Sequence, residues 1–174
     1  MHCKPETPYS KSKKDAEQLV REKTGEKGFD HIIFRPFSVF GPRQRPDEAF
    51  TKFLRNIYQG KKIQIYGKGD QTRDFTYVED VVECLFIALK SNDIEGTFNI
   101  GKGRRVSVND LVDLIDRSVD CEVKVEYVEE HPGDVSHTHS DTSKFKDKFD
   151  FSPNTDISKG LERTVHWIKN SDAL

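Results

Sequence analysis

Apolar residues recur along the chain at helical spacing in some segments and at strand spacing in others. Periods near 3.6 residues, with helix-favouring composition at the start, predict helices over about 8–23, 48–59, 78–89, 108–115 and 157–169. Short apolar runs or alternation predict strands near 31–35, 63–65, 97–100 and 123–127. Because the two patterns alternate, the sequence predicts an α/β or α+β domain.

The same spacing predicts which face of a helix is buried. The packing side predicted for the first helix consists of Ala16, Leu19, Val20 and Lys23. Gly25 and Gly28 are expected to end that helix, and Ser107 is a predicted N-cap with Asp110 as its partner. The clearest apolar stripe, predicted to bury one face of the third helix, contains Val78, Val81, Val82, Leu85, Phe86 and Leu89.

The size and composition of the chain are those of a soluble globular protein. Its 174 residues can form one domain with a core, and 34% of them are hydrophobic while 33% are charged. No apolar run approaches the roughly 20 residues that span a bilayer, and residues 1–6 lack the apolar core of a signal peptide. We therefore expect a cytoplasmic protein with no membrane partner.

Net charge and cysteine spacing argue against several other classes of site. The formal net charge is -2, so no basic field favours nucleic acid, and no nucleic-acid partner is expected. The cysteines Cys3, Cys84 and Cys121 are scattered and odd in number, which argues against a disulfide framework or a zinc ribbon. They are expected to be free thiols in a reducing compartment.

Tyr9 and Lys13 stand four residues apart at the start of the first predicted helix. This spacing places both side chains on one helix face, about one turn apart. An ammonium near a phenol stabilises the phenolate, so such a pair can remove or return a proton at a sugar hydroxyl. Alone, the signal is weak, because a tyrosine and a lysine at this spacing more often lie on a solvated helix face.

Several arginines in or beside predicted turns are candidates for an anion site: Arg35, Arg43, Arg45 and Arg73. Guanidinium groups match phosphate oxygens with paired hydrogen bonds. In a nearly neutral chain, such a local group is more informative than a generally basic surface would be. Taken singly, each of them, like Arg104 and Arg105, is more simply explained as a surface residue or a member of an ion pair.

A histidine-rich stretch follows the last predicted strand and contains His131, His137, His139 and Asp141. Imidazole and carboxylate groups at this spacing can bind a metal if they point inward and meet a fourth ligand. A solvated polar edge strand is the more frequent explanation of such a stretch. We therefore predict no metal site.

Several ordered motifs together resemble the extended short-chain dehydrogenase/reductase family of NAD-dependent nucleotide-sugar epimerases and dehydratases, which includes UDP-glucose 4-epimerase. Residues 8–18 resemble the family's Tyr-x-x-x-Lys helix, and residues 35–46, RPFSVFGPRQRP, resemble its next strand and loop. Residues 65–80, IYGKGDQTRDFTYVED, are similar to its most recognisable downstream segment. Residues 98–101 and 132–135 follow in the expected order, so the resemblance covers essentially the whole chain.

The resemblance implies an enzyme that holds NAD tightly and transiently oxidises a sugar hydroxyl on a UDP- or similar nucleotide-sugar. Tyr9 would be the acid/base, with Lys13 as its electrostatic partner. The same two residues and Phe37 would contact the cofactor. Arg73 would grip the diphosphate of the substrate, and Tyr66 would lie against its nucleotide base.

Two further positions expected to bind substrate depart from the family's usual residues. Ser38 stands where the family often has asparagine, and serine offers fewer hydrogen-bonding groups. His131 stands where the family often has arginine, and a histidine is mostly neutral at pH 7. Both changes bear on the diphosphate grip and on the identity of the substrate.

The resemblance implies the C-terminal part of a Rossmann-type α/β fold together with its substrate-binding subdomain. Residues 1–47 would end the Rossmann-type domain, and residues 48–174 would be mainly the substrate-binding subdomain, with some segments returning to the Rossmann sheet. The sequence has no glycine-rich dinucleotide fingerprint and no counterpart of the family's catalytic Ser or Thr upstream of Tyr9. We therefore expect the N-terminal dinucleotide-binding half to be missing and NAD not to be retained.

The leading hypothesis is an NAD-dependent nucleotide-sugar epimerase-type oxidoreductase, present as a C-terminal fragment that is inactive alone or nearly so. A homodimer is expected for the full-length form. One alternative is a non-catalytic truncated family member that acts as a sugar-nucleotide-binding or dimerisation module. Another is a nucleotide-sugar 4,6-dehydratase, whose elimination step uses an acid and a base supplied upstream.

Overall fold

Helices and strands alternate along the chain in the computed structural model, which describes residues 5, 7–92, 94–130 and 135–171. The helices are α1 (Pro8–Lys27), α2 (Ala49–Tyr58), α3 (Val78–Leu89), α4 (Val108–Asp116), α5 (Ser143–Phe149) and α6 (Ile157–Lys169). The strands are β1 (Ile32–Pro36), β2 (Val39–Phe40), β3 (Ile63–Tyr66), β4 (Thr72–Asp74), β5 (Thr76–Tyr77), β6 (Gly96–Ile100), β7 (Arg105–Ser107) and β8 (Val125–Val128). The predicted α/β class is confirmed, and each predicted element is present within a few residues of its expected bounds.

The strands pair two by two, and the partners come from separate parts of the chain. β1 pairs with β6, β2 with β5 and β3 with β8, all in parallel. β4 pairs antiparallel with β7, and a bridge between Thr72 and His137 adds a segment along its other edge. β4 therefore lies between two neighbouring segments, which places Arg73 at the centre of a supported strand.

Two apolar clusters hold these elements together. The larger cluster packs α2, α4 and α6 around β3 and β5, and its buried members include Phe40, Phe50, Leu54, Ile65, Leu111 and Leu161. Phe40 stacks on Phe50 with ring centroids 4.3 Å apart. The smaller cluster joins α3 and α5 to β6 through Cys84, Phe98 and Phe145. The larger cluster supports the elements that form the candidate site.

Helix α1 differs from its prediction in length and in packing. It runs through Gly25 and ends at Gly28, whose φ of 70° is left-handed. Its predicted packing side is wrong, since Leu19 is 55% and Val20 is 41% exposed. α1 is 20 residues long but polar, and none of the described helices is both long and apolar enough to cross a membrane.

Polar contacts attach α1 to the β1–β6 pair. The Glu17 carboxylate accepts two hydrogen bonds from Arg35 of β1, at 2.6 and 2.7 Å. Arg21 donates to the hydroxyl of Thr97 in β6 at 2.9 Å. The hydrogen bond from Arg35 is the main reason that the pKa of the Glu17 carboxyl lies below its usual value.

Helix α3 turns a different face to the protein from the one predicted. The exposed members of its predicted apolar stripe are Val82, Leu85, Phe86 and Leu89. Asp80, Cys84 and Ala88 are buried instead. Asp80 accepts hydrogen bonds from the backbone N–H and the hydroxyl of Thr155, at 2.9 and 2.7 Å. Because a buried carboxylate needs such donors, the contacts of Asp80 favour burial of the helix face that carries it. Much of the apolar stripe therefore faces outward.

Candidate functional site

A cavity of about 250 Å³ opens between α2, β3 and β4. Three residues predicted to bind substrate line it, namely Ser38, Tyr66 and Arg73. Ser38 lies in the turn between β1 and β2, Tyr66 ends β3 and Arg73 is the middle residue of β4. Ile65 and Leu111 of the larger cluster contribute apolar lining. An apolar cleft with a few convergent polar groups is the usual composition of a ligand site.

Backbone carbonyls orient Arg73 at this cavity. Its Nη1 donates to the carbonyl oxygen of Thr72 at 3.0 Å and to that of Ser136 at 3.4 Å. A guanidinium carries five N–H donors in a planar fork, so contacts through one nitrogen set its direction. A guanidinium directed at the cavity in this way suits recognition of an anion such as phosphate.

Tyr66 brings an aromatic face to the cavity beside a second cation. The Nζ of Lys52, which also lines the cavity, lies 5.9 Å from the centroid of the Tyr66 ring. The side-chain amide of Gln71 donates to the Tyr66 carbonyl at 3.0 Å and closes the turn that follows β3. A ring next to cations can stack on a nucleotide base while the cations face phosphate.

Ser38 has a backbone conformation that is uncommon for a residue with a side chain. Its φ is 23°, and its carbonyl accepts a hydrogen bond from the N–H of Thr76 at 3.2 Å. Positive φ in a non-glycine residue costs of the order of 1 kcal/mol and persists where surrounding structure enforces it. The pairing of β2 with β5 provides that enforcement and directs the Ser38 turn toward the cavity.

Arg45, in the loop after β2, forms ion pairs at the rim of the cavity. Its guanidinium lies 2.6 Å from Asp47 and 3.5 Å from Glu48, two residues that line the cavity. The pKa of Arg45 is raised by its hydrogen bond and charge pairing with Asp47, then by Glu48, and also by Tyr9.

The structure places Tyr9 and Lys13 together at the start of α1. The Lys13 Nζ is 5.4 Å from the centroid of the Tyr9 ring, and Tyr9 is 71% exposed. Neither residue lines the cavity that contains Ser38, Tyr66 and Arg73. The predicted site residues thus form two groups, an exposed phenol–ammonium pair and a cavity with a guanidinium and an aromatic ring.

The remaining predicted site residues are Phe37 and His131. Phe37 is half-buried, and its backbone N–H donates to the carbonyl of Ile100 at 2.8 Å, beside the β1–β6 pair. It is not part of the cavity lining. His131 lies outside the described residues, so its role stays a prediction.

The other histidines of the histidine-rich stretch contact protein groups. His137 Nδ1 lies 3.0 Å from the hydroxyl of Thr72, and His139 Nε2 lies 3.2 Å from the carbonyl oxygen of Gly103. Within the part of the chain that the structure describes, no group of three or more His, Cys, Asp or Glu side chains could hold a metal ion.

Sequence reasoning missed most of the polar residues that line the cavity. They are Gln44, Asp47, Glu48, Lys52, Gln64 and Gln71. The apolar period of α2 places Lys52 between the buried Thr51 and Phe53, but that period alone does not indicate a ligand site. Gln71 lay inside a recognised motif, but no spacing indicated that it would contact the turn after β3.

Comparison with known proteins identifies related chains. A sequence profile of the NAD dependent epimerase/dehydratase family matches residues 1–101. A UDP-glucuronate 4-epimerase from Thermodesulfobacterium geofontis is 37% identical over 171 residues, covering 98% of this chain and 53% of that protein. An Arabidopsis thaliana trifunctional UDP-glucose 4,6-dehydratase/UDP-4-keto-6-deoxy-D-glucose 3,5-epimerase/UDP-4-keto-L-rhamnose-reductase is 32% identical over 165 residues, covering 94% of this chain and 25% of that protein.

Solved structures show the same architecture. The UDP-glucuronic acid 4-epimerase from Bacillus cereus, in complex with UDP-glucuronic acid and NAD, superposes with a TM-score of 0.91 at 32% identity. The match covers 97% of this chain and 55% of that one. The chain therefore spans about half the length of the UDP-glucuronate epimerases it matches. The predicted Rossmann-type α/β class is confirmed by this likeness.

Proposed function

Because the chain belongs to the NAD-dependent epimerase/dehydratase family, we propose that it provides the nucleotide-sugar site and the proton-transfer pair of a UDP-sugar 4-epimerase. The observation that carries this proposal is the single cavity lined by Ser38, Tyr66 and Arg73. These residues supply a hydroxyl for a sugar, an aromatic surface for a base and a cation for a diphosphate.

In this proposal the diphosphate is the central anchor of the substrate. It binds Arg73, because a guanidinium oriented by backbone carbonyls can donate to phosphate oxygens. The base packs against Tyr66, and Lys52 beside the ring adds a second positive charge to the cleft. The sugar extends toward Ser38 and the turn between β1 and β2.

Tyr9 acts as the acid/base of the proposed reaction. Its phenolate removes the proton from a sugar hydroxyl, and the resulting phenol returns a proton when the hydroxyl re-forms with inverted configuration. Lys13 is the electrostatic partner of Tyr9 in this proposal, because its ammonium lies beside the Tyr9 ring. NAD, when bound, would accept the hydride from the carbon that carries this hydroxyl, and the reduced cofactor would return it when the hydroxyl re-forms.

The described residues fit one end of NAD. Tyr9, Lys13 and Phe37 offer a phenol, an ammonium and a ring, which suit the nicotinamide and its ribose. The described residues contain no glycine-rich strand-to-helix turn that would receive the NAD pyrophosphate. We therefore propose that this chain alone does not retain NAD and is catalytically inactive or nearly so.

UDP-glucuronate is the substrate to test first. Both the Thermodesulfobacterium geofontis protein and the Bacillus cereus enzyme bear the name of a 4-epimerase that acts on this compound. The name of the Arabidopsis thaliana relative includes a UDP-glucose 4,6-dehydratase. The dehydratase alternative is therefore tested with UDP-glucose in the same assay.

The division of the chain is proposed on the same basis. Residues 1–47 contribute to a dinucleotide-binding domain, and residues 48–174 form mainly the substrate-binding part. The parallel pairing of β6 with β1 supports the return of a later segment to the first region. A homodimer in the cytoplasm is proposed for the full-length form.

Isothermal titration of the chain with UDP tests the proposed cavity. The unmodified chain should bind UDP saturably, and Arg73→Ala should weaken binding roughly tenfold or more, since it removes a charge-assisted contact to phosphate. Arg104→Ala is the matched control, because Arg104 is exposed and outside the cavity. No UDP binding by the unmodified chain, or equal weakening by both variants, would remove this cavity from the proposal.

Tyr9→Phe tests the proton-transfer role in a longer protein that joins this chain to a dinucleotide-binding unit. Turnover of UDP-glucuronate should fall by about two orders of magnitude or more, while UDP affinity and NAD content stay unchanged. Tyr127→Phe, at an exposed tyrosine outside the cavity, is the control. NMR of the products separates an epimer from a 4-keto-6-deoxy sugar. Full turnover in the Tyr9 variant would contradict the assigned role.

A further inference from the structure

Asp74 follows Arg73 in β4 and is completely buried, with 0% of its surface exposed. Its carboxylate accepts hydrogen bonds from the backbone N–H groups of Lys102 and Gly103, both at 3.1 Å. It also accepts from the backbone N–H and the hydroxyl of Ser140, at 2.9 and 2.5 Å. These donors satisfy both oxygens of a carboxylate that is removed from water.

We infer that Asp74 is a positioning residue for Arg73, an inference that rests on the proposed function of the cavity. Successive side chains of a strand point to opposite faces, so anchoring Asp74 on one face fixes the direction of Arg73 on the other. The carboxylate is thereby part of the diphosphate site without touching the diphosphate.

A second connection runs through the segment that pairs with the outer edge of β4. Asp74 binds Ser140, while the carbonyl of Ser136, in the same segment, accepts a hydrogen bond from Arg73. Thr138 links this segment to β4, since its N–H donates to the Thr72 carbonyl at 3.0 Å and its hydroxyl accepts from the Asp74 N–H at 3.3 Å. Asp74 therefore also holds one of the carbonyls that orient the Arg73 guanidinium.

The loop after β6 contributes hydrogen-bond donors to the contacts around Asp74. Its glycine-containing sequence, Gly101-Lys102-Gly103, superficially resembles a phosphate-binding loop, yet two of its N–H groups bind the Asp74 carboxylate. A Cβ on Gly101 would collide with the Ser140 hydroxyl and lie 3.2 Å from the Asp74 carboxylate. A residue without a side chain is therefore required where β6, β4 and the Ser140 segment meet.

A double-mutant cycle separates positioning from general stability. Asp74→Asn should weaken UDP binding roughly tenfold, because the amide turns a donor toward N–H groups that need an acceptor. It should leave uridine binding unchanged, since uridine has no phosphate for Arg73. In the Arg73→Ala background, Asp74→Asn should cause no further loss of UDP affinity, because coupled residues are not additive.

The control is Asp80→Asn, which alters another buried carboxylate whose partner is Thr155, away from the cavity. It should keep the UDP affinity of the unmodified chain even if the melting temperature falls. If the unmodified chain binds UDP and Asp74→Asn binds it equally well, only the positioning inference is overturned. If the unmodified chain binds no UDP, the proposed function is overturned and the inference with it.

Ser140→Ala decides the question if Asp74→Asn fails to fold. This variant removes one donor to Asp74 and keeps the three backbone donors. UDP affinity should fall roughly threefold, in line with loss of one hydrogen bond, and the effect should vanish when Arg73 is alanine. An equal loss of UDP and uridine binding, or an additive loss with Arg73→Ala, would show a merely structural role.

Discussion

At Asp74 and at Cys84, burial has opposite chemical consequences. Asp74 is surrounded by hydrogen-bond donors that fix its carboxylate in one position, and it can therefore organise the site. Cys84 has 0% exposure and lies in the cluster that contains Phe98 and Phe145. This burial raises the pKa of the Cys84 thiol to about 12, because the cluster disfavours a thiolate. What each buried group can do therefore depends on its immediate neighbours.

We expect Cys84 to resist alkylation in the folded protein. The thiolate is the reactive form, and a buried thiol with a pKa of about 12 is almost entirely protonated near neutral pH. Mass spectrometry after iodoacetamide treatment should find Cys84 unmodified until denaturant is added. Cys121, which is half-buried, provides the internal reference. Modification of both cysteines at one rate would contradict the packing described for α3.

At the scale of elements, periodicity located the helices better than it located their buried faces. The predicted apolar side of α2 is buried, as Phe50 and Leu54 show with 0% exposure. In α3, Asp80 bonds to Thr155, which lies 75 positions further along the chain, so no local pattern predicts the orientation of the helix. α1 is held by the Glu17–Arg35 ion pair and the Arg21–Thr97 hydrogen bond, and periodicity does not register such contacts either.

The candidate site could be predicted in part for the same reason. Tyr66 and Arg73 lie in a recognisable motif, and their residue types match a base and a phosphate. Lys52 and Gln44 stand in segments whose pattern reports only helix or loop, and their place in the cavity depends on how α2 packs. Asp74 lies in the motif as well, but its donors come from two later segments of the chain.

The ion pair between Glu17 of α1 and Arg35 of β1 predicts that the stability of the protein depends on pH. The pKa of Glu17 is lowered in the folded protein, so its ion pair with Arg35 contributes above the ordinary value of 4.5 and is lost as pH falls through the lowered value. Glu17→Gln should cost about 1 kcal/mol at neutral pH and flatten the loss of stability below about pH 5.

Urea denaturation at several pH values measures this contribution. Glu26→Gln is the control, because the Lys23–Glu26 pair has side chains that are 53% and 59% exposed. Such an exposed pair should change the free energy of unfolding by only a few tenths of a kcal/mol. If the two variants show the same pH dependence, the Glu17–Arg35 pair does not hold α1 in place.

For the whole molecule, the outward apolar face of α3 is the feature that bears on association in solution. Val82, Leu85, Phe86 and Leu89 are between 42% and 81% exposed and lie along one helix. Contiguous apolar surface of this kind promotes association with other apolar surfaces. The two clusters of the core do not cover it.

We expect the isolated chain to self-associate through α3. Sedimentation velocity should show species larger than a monomer as concentration rises, and Phe86→Glu combined with Leu89→Glu should restore the monomer. Lys61→Glu is the matched control, since it changes the charge by the same amount at an exposed residue outside α3. Equal behaviour of the double variant and the control would exclude the apolar face as the cause.

The pairing of distant strands also determines when this chain can fold during synthesis. Ile32 pairs with Gly96, and Ile63 pairs with Val125, so a nascent chain on the ribosome carries unpaired strands until these later partners have been synthesised. Closing such long loops is entropically costly and is compensated only when several contacts form together. Since Leu161 and Ile168 of α6 complete the larger cluster, productive folding should begin only after α6 has left the exit tunnel.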